Sequence, residues 1–268
     1  MATTNPDRSP VPDYLSKLRL DGRVFVVLGG GNGIGRQTCH ALSQAGAKVA
    51  CVDRDASLAR MVAEETGGVA LVGDVNNRAD VERVFAEAGK AGRLGGVVGI
   101  VGMPVFGSLL DFDEEKWRSQ FDLVFNHACL AIQIGGRALV SAGGGSMVFV
   151  GSMAGITKIP GQSAYGVAKA ALHKLVGAAA NELGPSGIRV NAVAPGFVRT
   201  PRLKSMVSAE SWKAMDSMTA IGHAADPAEI AAAILFLASD LASHVTGHVL
   251  LADGGITGTI APPKLNQA

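Results

Sequence analysis

Tyr165 and Lys169 stand four apart in the Ala-rich run AYGVAKAALHKLVGAAANEL, which reads as a helix. Residues at i and i+4 share a helix face, so the phenol and the ammonium can meet. A fixed positive charge beside a tyrosine favours the phenolate and draws its pKa down from about 10 toward neutrality. Ser152 lies thirteen positions before the tyrosine, straight after the apolar run MVFVG, which reads as a buried strand reaching its C-terminal end. In an open parallel sheet, ligands bind at that edge. A hydroxyl there can hold a carbonyl or alkoxide oxygen while the tyrosine moves a proton. Taken alone, the tyrosine–lysine pair also fits a plain core helix with a surface lysine.

A second group of residues decides between these readings. RVFVVLGG (23–30) is a short apolar run rich in β-branched residues, a buried strand, and GGGNGIG (29–35) follows it and opens a helical pattern. Glycines at such a junction allow a tight turn and bring backbone close to a pyrophosphate, which the helix N-terminus can bind. The spacing is G-x-x-x-G-x-G (Gly29, Gly33, Gly35), and G-x-G-x-x-G does not occur in the loop. Asp53 ends the next strand, KVACVD, where a carboxylate accepts hydrogen bonds from an adenosine ribose diol. It also repels a 2′-phosphate, which favours NAD over NADP, while the adjacent Arg54 acts against that preference. Asp74, ending a third strand, is placed to meet the adenine edge. A solvated charge at a strand end is the plain alternative for both aspartates.

Further strands are expected at 68–75, 95–102, 146–151 and 188–196, with a last one at HVLLADGG. Helices follow each in turn, including a long one from about Glu114 to Ser141. An amphipathic segment, 203–218, precedes the helix PAEIAAAILFLAS. Strand alternates with helix without a linker-like break, which predicts an α/β protein. Residues 1–22 read as an N-terminal arm, and 23–268 as a single doubly wound domain with a seven-stranded parallel sheet and helices on both faces.

Hydrophobic residues make up 48% of the 268 and charged ones 18%, which fits a large buried core, and a net charge of +1 offers no surface for nucleic acid. Cys39, Cys51 and Cys129 are far apart and lack CxxC spacing, so neither a disulfide framework nor a zinc site is expected, and a reducing, cytoplasmic setting is. His244 and His248 flank Thr246 and Gly247, which argues against a helical metal-ligand pair. His173, four after Lys169, reads as structural or interfacial. The N-terminus has no apolar core of a secretory signal. Ala138–Thr157 is uncharged over twenty residues, long enough to raise a membrane span, but its five glycines and GGG centre read as helix end, turn and strand.

Loop, serine and YxxxK together resemble the short-chain dehydrogenase/reductase family, in its compact single-domain branch with a Rossmann fold. The resemblance runs from about Leu20 to Gly255 and rests on GGGNGIG, Asp53, Asp74-Val75, Asn126 in LVFNHA, Ser152, Tyr165-x-x-x-Lys169, NAVAPGFVRT and TGHVLLADGG. It implies Tyr165 as general acid/base and Lys169 as the group that holds the nicotinamide ribose and lowers the tyrosine pKa. Ser152 would position the substrate oxygen. Asn126 would anchor a water extending a proton path to Lys169. Gly29, Asn32, Gly33 and Ile34 would line the pyrophosphate, Asp74 and Val75 the adenine, and Val198 and Thr200 the nicotinamide carboxamide. A homotetramer is also implied.

Two departures stand out. Leu28 replaces the family's usual threonine, and Gly99-Ile100-Val101-Gly102 its usual Asn-Asn-Ala-Gly. In relatives these polar groups tie the first strand to the fourth. Here both sides are apolar, an exchange of a polar contact for a packed one, which can be nearly neutral. Met103, Pro104, Val105, Phe106, Ile159, Pro160, Met206, Trp212, Met215 and Met218 give the substrate region an apolar character. It suits a hydrophobic or ring-containing secondary alcohol or ketone, although these residues could equally pack a lid. An NADP-preferring carbonyl or 3-oxoacyl reductase is the alternative. A nucleotide-binding protein without turnover is a further one, against which Asn126, Ser152, Tyr165 and Lys169 argue.

Overall fold

The computed structural model describes residues 9–258; residues 1–8 of the expected arm and 259–268 of the expected domain lie outside it. Seven strands form one sheet: β1 Arg23–Leu28, β2 Lys48–Asp53, β3 Val69–Val72, β4 Arg93–Gly99, β5 Gly145–Val150, β6 Ile188–Pro195 and β7 Val249–Ala252. Their order is β3-β2-β1-β4-β5-β6-β7, with every pair parallel. Consecutive side chains of a strand face opposite ways, and β1 shows why its run is continuously apolar. Val24, Val26 and Leu28 enter one core, while Phe25 and Val27 enter the other.

The first core is closed by α3 (Arg78–Lys90), α4 (Glu114–Ser141) and α5 (Ser163–Leu183), through residues such as Phe85, Ala131, Leu139, Leu172 and Val176. The second is closed mainly by α1 (Gly33–Gln44), α2 (Ala56–Thr66) and α8 (Pro227–Ala238), through Cys39, Leu42, Val62, Ile230 and Ile234. The chain adds strands outward from β1 to β3 on one side and from β4 to β7 on the other, and the crevice above the β1–β4 switch point is where such sheets bind ligands. Leu20 is fully buried, with its N–H donating to the Ala45 carbonyl, so the end of the arm is packed on the domain.

The window Ala138–Thr157 is not one helix; it comprises the end of α4, a glycine turn and β5. Among the described residues α4 alone is long and apolar enough to cross a membrane, with a mean hydropathy of 1.3. Of the most apolar 18-residue stretch of α4, 44% is buried inside the protein, as for a helix that covers a sheet. The segment expected as one amphipathic stretch at 203–218 is two short helices, α6 (Pro201–Met206) and α7 (Ala209–Ser217), because Ser208 caps a new helix with its side chain.

Candidate active site

The glycine loop turns from β1 into α1. Gly29 has φ +82 and Gly33 φ +52, conformations that side chains disfavour, and a Cβ on Gly35 would overlap the Gly29 carbonyl oxygen. Asn32 caps α1, its side chain accepting from the Gly33 N–H. Asp53, at the end of β2, accepts the Gly31 N–H at 3.0 Å, and a Cβ on Gly31 would press on that carboxylate at 2.6 Å. The loop therefore leaves an open cradle whose far end is a half-exposed acid, a shape and charge that fit an adenine dinucleotide. Arg54 is exposed beside it. Asp74 is exposed above β3, accepting the Asn76 N–H, and Val75 packs partly into the first core.

Across the crevice, Val198 is 5% exposed and bridges to Ala225. Thr200 caps α6 and lies against the loop, 3.6 Å from the place of a Gly33 Cβ. Thr200 and the glycine loop thus meet across the C-terminal edge of the sheet, with Asp53 at the loop's other end. The exchanged residues pack as expected of an apolar pair: Leu28 is 1% exposed opposite Gly99, and a Cβ on Gly99 would strike the Phe149 ring at 2.6 Å. An aromatic ring on β5 occupies the space beside Gly99.

Ser152 follows β5 and begins the short turn Met153–Gly155, its Oγ accepting the Ala154 N–H at 3.1 Å. Tyr165 and Lys169 lie one turn apart on α5, both buried, at 9% and 1% exposure. Lys169 Nζ sits 5.6 Å from the Tyr165 ring centroid and donates to the Val150 carbonyl at 2.6 Å. Ser152, Tyr165 and Lys169 converge at the C-terminal end of β5.

The expected lowering of the tyrosine pKa is not found in this arrangement. Burial pushes Tyr165 up to about 12, and a hydrogen bond with the Ser152 side chain pulls the other way. Burial likewise pushes Lys169 down to about 7. The ammonium is aimed at the strand-end carbonyl, so desolvation dominates both groups.

Asn126 is placed differently from expectation. Its side chain is exposed and its Nδ2 donates to Asp122 Oδ1 at 2.5 Å, away from Lys169. The inward stripe of α4 runs Gln120, Val124, Ala128, Ala131, Gly135 and Leu139, and Asn126 falls two positions off it. Two π-helical turns, Asp122–Asn126 and Ala131–Gly135, interrupt the helix and shift its register. Val124 and His127 face the lysine region instead. Val124 packs with Tyr165 and Ala168. His127 is 1% exposed, and burial followed by the Lys169 charge holds it down to about 3, against a hydrogen bond to the Leu123 backbone that pulls the other way.

The stripe, readable as i, i+4 spacing from Gln120, would have singled out Val124. Gln120 itself is 1% exposed, with Oε1 accepting the Val105 N–H at 3.1 Å and Nε2 donating to the Met103 carbonyl at 3.2 Å. It fixes the loop that follows β4. Among the described residues no group of three or more His, Cys, Asp or Glu could hold a metal ion.

The sheet order, the glycine cleft and the serine–tyrosine–lysine cluster define a nucleotide-dependent oxidoreductase, and comparison with known proteins agrees. The sequence model described as enoyl-(acyl carrier protein) reductase matches residues 29–257. Galactitol 2-dehydrogenase (L-tagatose-forming) of Cereibacter sphaeroides is 37% identical over 91% of this chain and 99% of its own length. Cyclopentanol dehydrogenase of Comamonas sp. is 34% identical over 89% and 98%. The solved structure of a 7α-hydroxysteroid dehydrogenase with NADH and 7-oxo glycochenodeoxycholic acid superposes with a TM-score of 0.85 at 32% identity, covering 90% of this chain and 96% of that one. This chain belongs to the short-chain dehydrogenase/reductase family. It is an NAD(P)-dependent oxidoreductase acting on CH–OH groups.

Proposed function

We propose that the protein moves a hydride between NAD and a secondary alcohol or ketone that is hydrophobic or ring-containing, with Tyr165 as general acid/base. The observation that carries this reading is the meeting of Ser152, Tyr165 and Lys169 at the end of β5, beside a cleft that ends on Asp53. The nicotinamide, when bound, supplies or accepts the hydride. Tyr165 Oη takes the hydroxyl proton during oxidation and returns it during reduction. Ser152 Oγ holds the substrate oxygen against that phenol. Lys169 holds the ribose hydroxyls and exchanges protons with the tyrosine through them. Asp53 accepts from the adenosine ribose and repels a 2′-phosphate, Asp74 and Val75 border the adenine, and Val198 and Thr200 meet the carboxamide.

The substrate class is supported by the rim of the cleft. Phe106, Leu109 and Leu110 on the loop after β4, Met206 at the end of α6, and Met218 and Ile221 just after α7 are all exposed, an apolar set suited to such a rim. The cyclopentanol and steroid relatives agree with a ring. Exposed Arg54 and the enoyl-(acyl carrier protein) reductase match favour an NADP-preferring reductase as the second reading. We further infer a homotetramer: a 570 Å³ groove between α4 and α5 is lined by Ile132, Gly136, Val140, Leu175 and Ala179, an apolar face suited to a second copy. Free, mostly buried cysteines suit a reducing cytoplasm.

The test is NADH appearance from NAD beside NADPH from NADP, over cyclic, aromatic and aliphatic secondary alcohols, with Tyr165→Phe and Asp53→Ala alongside. Turnover with NAD that vanishes in Tyr165→Phe supports the reading. Unchanged cofactor choice in Asp53→Ala supports the NADP alternative, and turnover by Tyr165→Phe near the parent rate removes the proposed acid/base.

A further inference from the structure

One ring on α5 touches the serine loop, and no catalytic role above uses it. Tyr165, Lys169 and His173 recur every four residues, so they form one stripe of the helix. His173 is the last of them and reaches under the segment that carries Ser152. Its Nε2 accepts the Ser152 backbone N–H at 3.4 Å. The ring is wedged between Gly151 and Gly155. A Cβ on Gly151 would overlap Nε2, and one on Gly155 would lie 2.7 Å from Cε1. Both glycines therefore have a steric reason that lies on a different element from their own. Gly151 is also pinned to β6, its N–H donating to the Val193 carbonyl at 2.6 Å. Ser152 is held from three sides: by that pin, by its own Oγ capping Ala154, and by the imidazole below.

We propose that His173 is a positioning residue: its neutral ring, with the proton on Nδ1, holds the Ser152 backbone so that Oγ stays aimed at Tyr165 and the substrate oxygen. The inference rests on the role given to Ser152 above. An Nε2 that accepts from an N–H must be unprotonated, which defines the tautomer. A charged ring would set N–H against N–H. Burial and the Lys169 ammonium on the same stripe keep the ring neutral, pushing it down to about 4.

Two substitutions separate acceptor from filler. In His173→Gln the amide oxygen can reach the place of Nε2, whereas His173→Leu keeps bulk without an acceptor. Expected are a fall in kcat of roughly ten- to a hundredfold for His173→Leu, as for other small misplacements of a reacting group, with cofactor affinity unchanged. The Ser152 amide should also exchange faster with D₂O, and His173→Gln should recover most of both. Equal activity in parent and His173→Leu, or equal impairment in the two variants, would overturn the proposal. If His173→Leu does not fold, the ring ¹⁵N spectrum of the parent decides: a bare Nε2 with protonated Nδ1 supports the contact, and a protonated Nε2 overturns it. Ser152→Ala run alongside keeps the failures apart. Should it turn over like the parent, the catalytic reading of Ser152 falls, while amide exchange and the ring spectrum still read the His173 contact.

Discussion

Gly102 and Lys169 share one space: a Cβ on Gly102 would lie 2.8 Å from the lysine Nζ. The last residue of the GIVG stretch thus lies directly against a side chain on α5. Its φ of +150 adds a conformation that L residues rarely adopt. Gly102→Ala is expected to push the ammonium off the Val150 carbonyl, with a drop in kcat/KM of roughly tenfold or more and a loss of about 1–2 kcal/mol in stability. Steady-state kinetics beside urea unfolding check this; an alanine variant with parental kinetics would show that Lys169 can relocate without consequence.

Lys169 itself should trade stability for function. Its folded pKa, near 7, lies below the unfolded value of 10.5, so between those limits the unfolded chain binds a proton that the folded one does not. Stability therefore rises with pH across that window, by up to about 1.4 kcal/mol per pH unit. Lys169→Met removes this slope. The variant is expected to be more stable than the parent at pH 7 by roughly 1–3 kcal/mol, with the gap narrowing by pH 9, and inactive. Urea titrations of both proteins at the two pH values measure it. A constant gap would mean that Lys169 keeps its proton in the folded protein across this range and that its pKa is not lowered.

Much of this architecture is legible in the chain because both faces of every central strand are buried, so strands read as unbroken apolar runs and glycine marks their ends. The positions of Ser152, Tyr165 and Lys169 follow from the same pattern, since a strand end and one helix face fix them. What was not legible lies where regular periodicity stops. The π turns of α4 turn Asn126 outward and bring Val124 and His127 toward the site, and no local residue type announces them. The tyrosine pKa departs from expectation for a different reason. Spacing gives the distance to a charge, but the cost of burial depends on the whole packed site. His173 was visible on the stripe, yet its partner is a backbone N–H, which carries no sequence signature.

The acid/base chemistry should show this burial. Oxidation needs the Tyr165 phenolate, and with the phenol pushed up to about 12 the phenolate fraction grows with pH throughout the neutral range. The kcat/KM for alcohol oxidation is expected to rise about tenfold per pH unit from pH 7 to pH 9 without a plateau. Carbonyl reduction uses the protonated phenol and should stay flat across the same interval. A plateau in oxidation that begins near neutrality would show that the free protein already holds the tyrosine at a lowered pKa.

Gln120 gives the substrate loop its shape, and its removal should therefore be felt in selectivity. Both ends of its amide are used, on the Val105 N–H and the Met103 carbonyl, in a site that is almost fully buried. Gln120→Leu keeps the volume and strands both backbone groups away from water, at a cost of about 1–3 kcal/mol. The loop from Met103 to Phe106 can recover hydrogen bonds only by moving outward, which opens the apolar wall it is proposed to give the substrate. Expected is a KM several-fold higher for cyclic alcohols than in the parent, with less change for short linear ones. Cofactor affinity should be unaffected, because the cleft around Gly33, Asp53 and Thr200 shares no contact with Gln120. Kinetics over a paired cyclic and linear series, together with cofactor titration, tests this. A uniform loss across both series would assign Gln120 to stability alone and leave the walls of the pocket to other residues.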